Sequence, residues 1–148
     1  MATYNGANFT NSVPQPAPVG AAGKLVVLDS GLVSVTANLA NLDSGTLFVA
    51  PAGFTVLFTL LKSTDMDTNG APTATINVGD AGAPTRLVSG STVAQTGTVA
   101  QSIMAAALGY QYTADTPILW QIPTGPATGT TGSFRVLVIG YYSALVFS

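Results

Sequence analysis

From Lys24 onward, hydrophobic and polar positions alternate in short runs rather than at helical spacing. Val33, Val35 and Ala37 fall on one side of a pleated chain, with Ser34 and Thr36 on the other. Thr and Val dominate these runs, and Gly or Pro punctuates them, as in strands joined by turns. The pattern predicts strands over 24–28, 32–37, 46–49, 55–62, 73–78, 86–88, 91–98, 109–113, 117–122 and 133–142. Turn signals separate them, among them Asp29-Ser30-Gly31, Asp43-Ser44-Gly45, Asn69-Gly70-Ala71-Pro72 and Gly79-Asp80-Ala81-Gly82-Ala83-Pro84. Residues 100–108 have the best helix propensity and precede Gly109, so one short helix or a loop is allowed there.

Residues 1–22 read differently. Pro14, Pro16 and Pro18 favour extended backbone, and few side chains in this stretch can anchor a core. The chain therefore divides into an extended Pro-rich arm, 1–22, and one all-β domain, 23–148. That domain is expected to be an antiparallel β-sandwich of jelly-roll-like character. Tyr4 and Phe9 are the arm's apolar anchors, and with Pro14, Pro16 and Pro18 they are the expected contacts to a partner protein or a neighbouring subunit. Leu145, Val146 and Phe147 are too apolar to hang in water and join that set.

Composition narrows the function. The 148 residues hold 4 Lys or Arg, 6 Asp, and no Glu, His or Cys. A thiol nucleophile, disulfide, thiolate metal site and imidazole base are thereby excluded. Four scattered cations and a pI near 4.4 give no footprint for nucleic acid. The longest apolar stretches, 54–61 and 134–142, fall short of the roughly 20 residues a membrane helix needs, and the first residues lack a secretory signal's pattern. Yet 47% of residues are hydrophobic and mean hydropathy is +0.46. Such an apolar chain without a membrane segment points to contact with other proteins.

Candidate chemistry is sparse. Leu28-Asp29-Ser30-Gly31 is echoed fourteen residues later by Leu42-Asp43-Ser44-Gly45. Paired Asp-Ser-Gly turns, with Leu137-Val138-Ile139-Gly140, admit a dimeric aspartic protease, whose two carboxylates would share one proton. Asp-Ser-Gly is also an ordinary turn, and that reading is preferred. Asp65, Asp67 and Asn69, followed by Gly70, match the opening of an EF-hand loop, but position twelve is Ile76 in place of the bidentate Glu. They remain a weak metal candidate; a polar turn is preferred, and no cofactor is expected. Lys62-Ser63 and Gly129-Thr130-Thr131-Gly132 lack the context for a dyad or a phosphate loop. Exposed aromatics at Tyr110, Tyr112, Tyr141 and Tyr142, beside Asp115, leave a receptor- or glycan-binding module open.

Five segments carry a resemblance. They are Pro51-Ala52-Gly53-Phe54-Thr55-Val56, Asn77-Val78-Gly79-Asp80, Ser89-Gly90-Ser91-Thr92-Val93, Tyr110-Gln111-Tyr112-Thr113-Ala114-Asp115-Thr116 and residues 127–136. Together they resemble the small head-decoration (cement) proteins of tailed bacteriophages, over about two-thirds of the chain. The resemblance implies a non-enzymatic β-sandwich subunit, commonly a homotrimer. It also implies the major capsid protein as partner, synthesis in the host cytoplasm and a place on the virion's capsid exterior. Membrane and nucleic acid are not expected as partners.

Overall fold

The computed structural model describes residues 1–6 and 24–142. Among these residues nine strands form two antiparallel sheets: β1 (Leu25–Asp29), β2 (Val33–Val35), β3 (Ser44–Ala50), β4 (Phe54–Ser63), β5 (Thr75–Asp80), β6 (Ala83–Ser91), β7 (Val99–Ser102), β8 (Thr116–Thr124) and β9 (Gly132–Tyr142). One sheet runs β1-β9-β4-β7, and β2 continues β1 along the same flank of β9; the other runs β3-β8-β5-β6. The pairs β1–β9, β3–β8, β4–β7 and β5–β6 are nested, as when one long hairpin is rolled into two layers. The all-β sandwich predicted from the sequence is thus the observed fold.

The core lies between the sheets. Trp120 on β8 meets Phe134 on β9 edge to face, with ring centroids 4.7 Å apart. Phe54 meets Tyr142 in the same way at 5.9 Å. The first pair bridges the two layers and the second joins neighbouring strands of one sheet; such pairs add about 0.5–1.5 kcal/mol each to their area burial.

Three local expectations change. Of the predicted strand 91–98, residues Val93–Gln95 form a short 3-10 turn instead. Gly97, at φ 65°, brings the chain too close to the Asp65 backbone for a side chain. The permitted helix over 100–108 does not form, because Ala100 and Gln101 pair with Leu61 and Leu60 on β4. Tertiary pairing outweighs a propensity worth a few tenths of a kcal/mol per residue. Residues 109–113 are not a regular strand, although Tyr110 and Tyr112 exchange backbone hydrogen bonds with Val56, Phe54 and Gly53 along the edge of β4.

The predicted arm also divides. Residues 1–6 do not extend from the domain: Thr3 pairs in parallel with Ser44 at the edge of β3 of the same chain. Tyr4 is half-buried over Trp120, with ring centroids 6.4 Å apart. Phe9, Pro14, Pro16, Pro18, Leu145, Val146 and Phe147 lie outside the described residues.

Candidate contact surface

An antiparallel sheet in water ordinarily turns one face to the core and a polar face to solvent. The β1-β9-β4-β7 sheet departs from this. Its inner face carries Leu28, Val56, Leu61, Val136 and Val138, all buried in the core cluster. Strand register places the outer side chains in cross-strand rows: Leu25–Tyr141–Thr55, Val27–Ile139–Phe58, Asp29–Leu137–Leu60–Gln101 and Arg135–Lys62–Val99. The Val27–Ile139–Phe58 row is wholly apolar and the flanking rows add Leu25, Leu137 and Leu60. Leu25, Val27, Leu137, Phe58 and Leu60 stand outside the core cluster, while Ile139 and Thr55 are buried at the middle of this face. Leu25 is 71% exposed, Val27 51%, Val99 63% and Ile103, just beyond β7, 60%. An apolar sheet face of this kind is a candidate contact surface.

The signal for this surface is in the sequence. Leu25-Val26-Val27-Leu28, Val56-Leu57-Phe58 and Val136-Leu137-Val138-Ile139 do not alternate. Unbroken apolar runs belong to strands covered on both faces. Measured only against the length of a membrane helix, they pass unnoticed.

The polar candidates are structural. Asp67 is buried, and its carboxylate accepts backbone N–H bonds from Thr73 (2.6 Å), Ala74 (3.0 Å), Ala127 (3.1 Å) and Thr128 (2.9 Å). Burial by itself would raise its pKa, but these four donors outweigh it and hold the group at about 2. Asp65 accepts the Asp67 N–H, while Asn69 accepts from Ala71 and donates to Thr128. Both Asp67 oxygens therefore face N–H donors, the reverse of what a cation would need. Among the described residues no three acidic side chains gather as a metal site would require.

The Asp-Ser-Gly turns have separate structural tasks. Asp29 pairs with Arg135 and accepts the Gly31 N–H. Ser30, fully buried, accepts the Val136 N–H through its hydroxyl and donates its own N–H to the Val136 carbonyl. It thus preserves the ladder across the break between β1 and β2. Asp43 is buried and accepts from the Ala2 and Ala40 N–H groups. Each carboxylate has its own partners and they do not form a proton-sharing pair.

The tyrosines do not make an open aromatic platform. Tyr112 and Tyr142 are buried. The Arg86 guanidinium lies 3.7 Å from the Tyr110 ring centre and bonds to Asp80 at 2.6 Å. The Tyr112 hydroxyl donates to the same carboxylate at 3.3 Å, and burial together with Asp80 raises the phenol's pKa. Asp115 accepts the Ala52 N–H.

Two solved structures resemble this chain. A chain of the cyanophage Pam1 capsid asymmetric unit matches with 37% identity and a TM-score of 0.74, over 91% of this chain and 97% of that one. The chain belongs to the capsid-associated structural proteins of bacteriophages. A chain of the Ralstonia phage GP4 capsid matches with 26% identity and a TM-score of 0.73, over 90% of this chain and 93% of that one. No protein-family model and no curated protein matches the sequence. Among the described residues, no helix of this capsid-associated chain is long and apolar enough to cross a membrane.

Proposed function

We propose that this chain is a decoration (cement) subunit that binds the outside of the phage head and stabilises neighbouring capsomers. The observation that carries this reading is the apolar outer face of the β1-β9-β4-β7 sheet. Fully burying an exposed aliphatic side chain is worth about 1.5–3 kcal/mol, so covering what remains exposed of Leu25 and Val27 supplies about 1–2 kcal/mol each. A few such residues therefore supply capsid affinity without an ion pair, and with little dependence on salt. Binding only to the assembled shell stabilises that shell by mass action, with no reaction. The major capsid protein is the partner, and the subunit acts as a homotrimer.

The test is co-sedimentation of purified protein with undecorated heads, followed by heating of the decorated particles. Saturable binding and a higher rupture temperature are expected, along with a solution mass three times the 14.9 kDa of one chain. Failure to bind heads refutes the decoration role. A monomeric or dimeric mass refutes the trimer while leaving head binding to be judged on its own.

A further inference from the structure

Residues 1–6 occupy a formed socket on the edge of β3. The Tyr4 N–H donates to the Ser44 carbonyl at 2.7 Å, the Ser44 N–H to Ala2 at 2.9 Å, and the Gly6 N–H to Thr46 at 2.7 Å. Side chains extend the pairing: Trp120 Nε1 donates to the Tyr4 carbonyl at 2.6 Å, the Thr46 N–H to Asn5 Oδ1 at 2.9 Å, and the Ala2 N–H to Asp43 at 2.8 Å. Gly45 leaves the space that Tyr4 fills, since a Cβ there would collide with the Tyr4 carbonyl. A short strand is therefore recognised here by backbone ladder, indole and carboxylate together, the mode in which extended peptides add to sheet edges.

The connection to this strand is longer than its position requires. Gly6 sits against Leu47 and Ser30, at one end of β1, while Lys24 stands at the other end. Those ends are about 17 Å apart, at roughly 3.3 Å per strand residue. The intervening residues 7–23 can span about 60 Å when extended. A domain of this length is roughly 40 Å across. The strand can therefore reach the same socket on an adjacent copy.

We propose that the β3 socket is exchanged between copies of this chain, each subunit placing its residues 1–6 on the β3 edge of a neighbour in the assembled state. Docking in the chain itself and docking in a neighbour make identical contacts, so exchange sacrifices none of them. In a closed ring every socket stays filled, and each exchange ties two subunits together. Copies held side by side on a head present the neighbouring socket at an effective concentration of about the millimolar order, comparable with that of the chain's own socket.

The absence of native cysteine makes the test direct. Thr3 and Ser44 pair across the socket and line one groove, so the T3C/S44C variant can form a disulfide wherever the strand docks. The inference rests on the decoration reading, and co-sedimentation of the reduced variant with heads checks that reading before oxidant is added. Decorated heads, and separately purified protein at about 1 mM, a concentration matching that of a tethered strand, are then oxidised and run on a non-reducing gel. Disulfide-linked dimers and trimers are expected, and each single-cysteine variant should give none of that ladder. Monomers with both thiols consumed would overturn the proposal, as would folded protein with both thiols free.

Discussion

The outer faces of the two sheets differ. On β3-β8-β5-β6 the middle rows run Ser44–Gln121–Asn77 and Thr46–Leu119–Gly79, with Leu119 the one large apolar side chain among them. The corresponding rows on β1-β9-β4-β7 run Val27–Ile139–Phe58 and Asp29–Leu137–Leu60. Both sheets build their inner faces from the same kind of residue, so the core cannot tell them apart. The outer faces can: one is suited to water, the other to a partner. A pleated strand alternates its sides, which lets each face be specified independently of the core. The surface that distinguishes this capsid-associated chain from an ordinary sandwich therefore lies in every second residue of three strands.

The largest effect should come from charging the apolar face at its exposed margin. L25K/V27K should weaken head binding at least a hundredfold, as expected from the loss of about 3 kcal/mol of apolar contact. Its unfolding temperature should stay close to that of the parent, and Q121K on the opposite sheet should bind heads as the parent does. Equal losses in L25K/V27K and Q121K, measured by titration against undecorated heads, would erase the distinction between the faces.

Asp67 should behave in the opposite way, governing stability without touching the contact face. D67N replaces an acceptor shared by four N–H groups and should cost about 2–3 kcal/mol in urea unfolding while leaving head affinity unchanged for the folded fraction. A carboxylate held at about 2, against 3.8 for the free group, stabilises the fold above pH 4 and loses that contribution as pH falls toward 2. The shift corresponds to about 2 kcal/mol, so the parent's stability should fall through that window and the variant's should fall less.

Smaller effects come from the ends of the sheets. Removing the Ser30 hydroxyl in S30A leaves the Val136 N–H without its acceptor. This should cost about 1–2 kcal/mol, with faster amide hydrogen exchange at Val136 than elsewhere in β9. Leu42, exposed at φ 67°, lies in a region that disfavours branched side chains. L42N should raise stability by up to about 1 kcal/mol, read as an upward shift in unfolding temperature.

Much of the fold was legible because strand alternation and turn chemistry are local. The runs around 55–62, 117–122 and 133–142 correspond to β4, β8 and β9 within two residues at either end. Residues 100–108 misled because Ala-rich propensity is weak beside a waiting edge on β4. The arm reading missed the docking of residues 1–6 because nothing near Tyr4 reveals that Trp120 and Asp43, both far along the chain, converge on it. Asp65-Met66-Asp67-Thr68-Asn69-Gly70 shows the same limit: its spacing fits a cation loop, while its donors come from residues 73–74 and 127–128. Acidic spacing is visible in a sequence, but the groups that satisfy it are not.

The nested strand order has a consequence for when the protein becomes competent. The apolar rows draw on β1, β4 and β9, and among the described residues β1 pairs only with β9, more than a hundred residues later. No such row exists on a nascent chain until β9 has been made and has closed the sheet. Sheets closed by such distant pairings form slowly. Synthesis and maturation are thereby put in sequence: an unfinished or unfolded subunit presents scattered apolar strands, but no continuous apolar face.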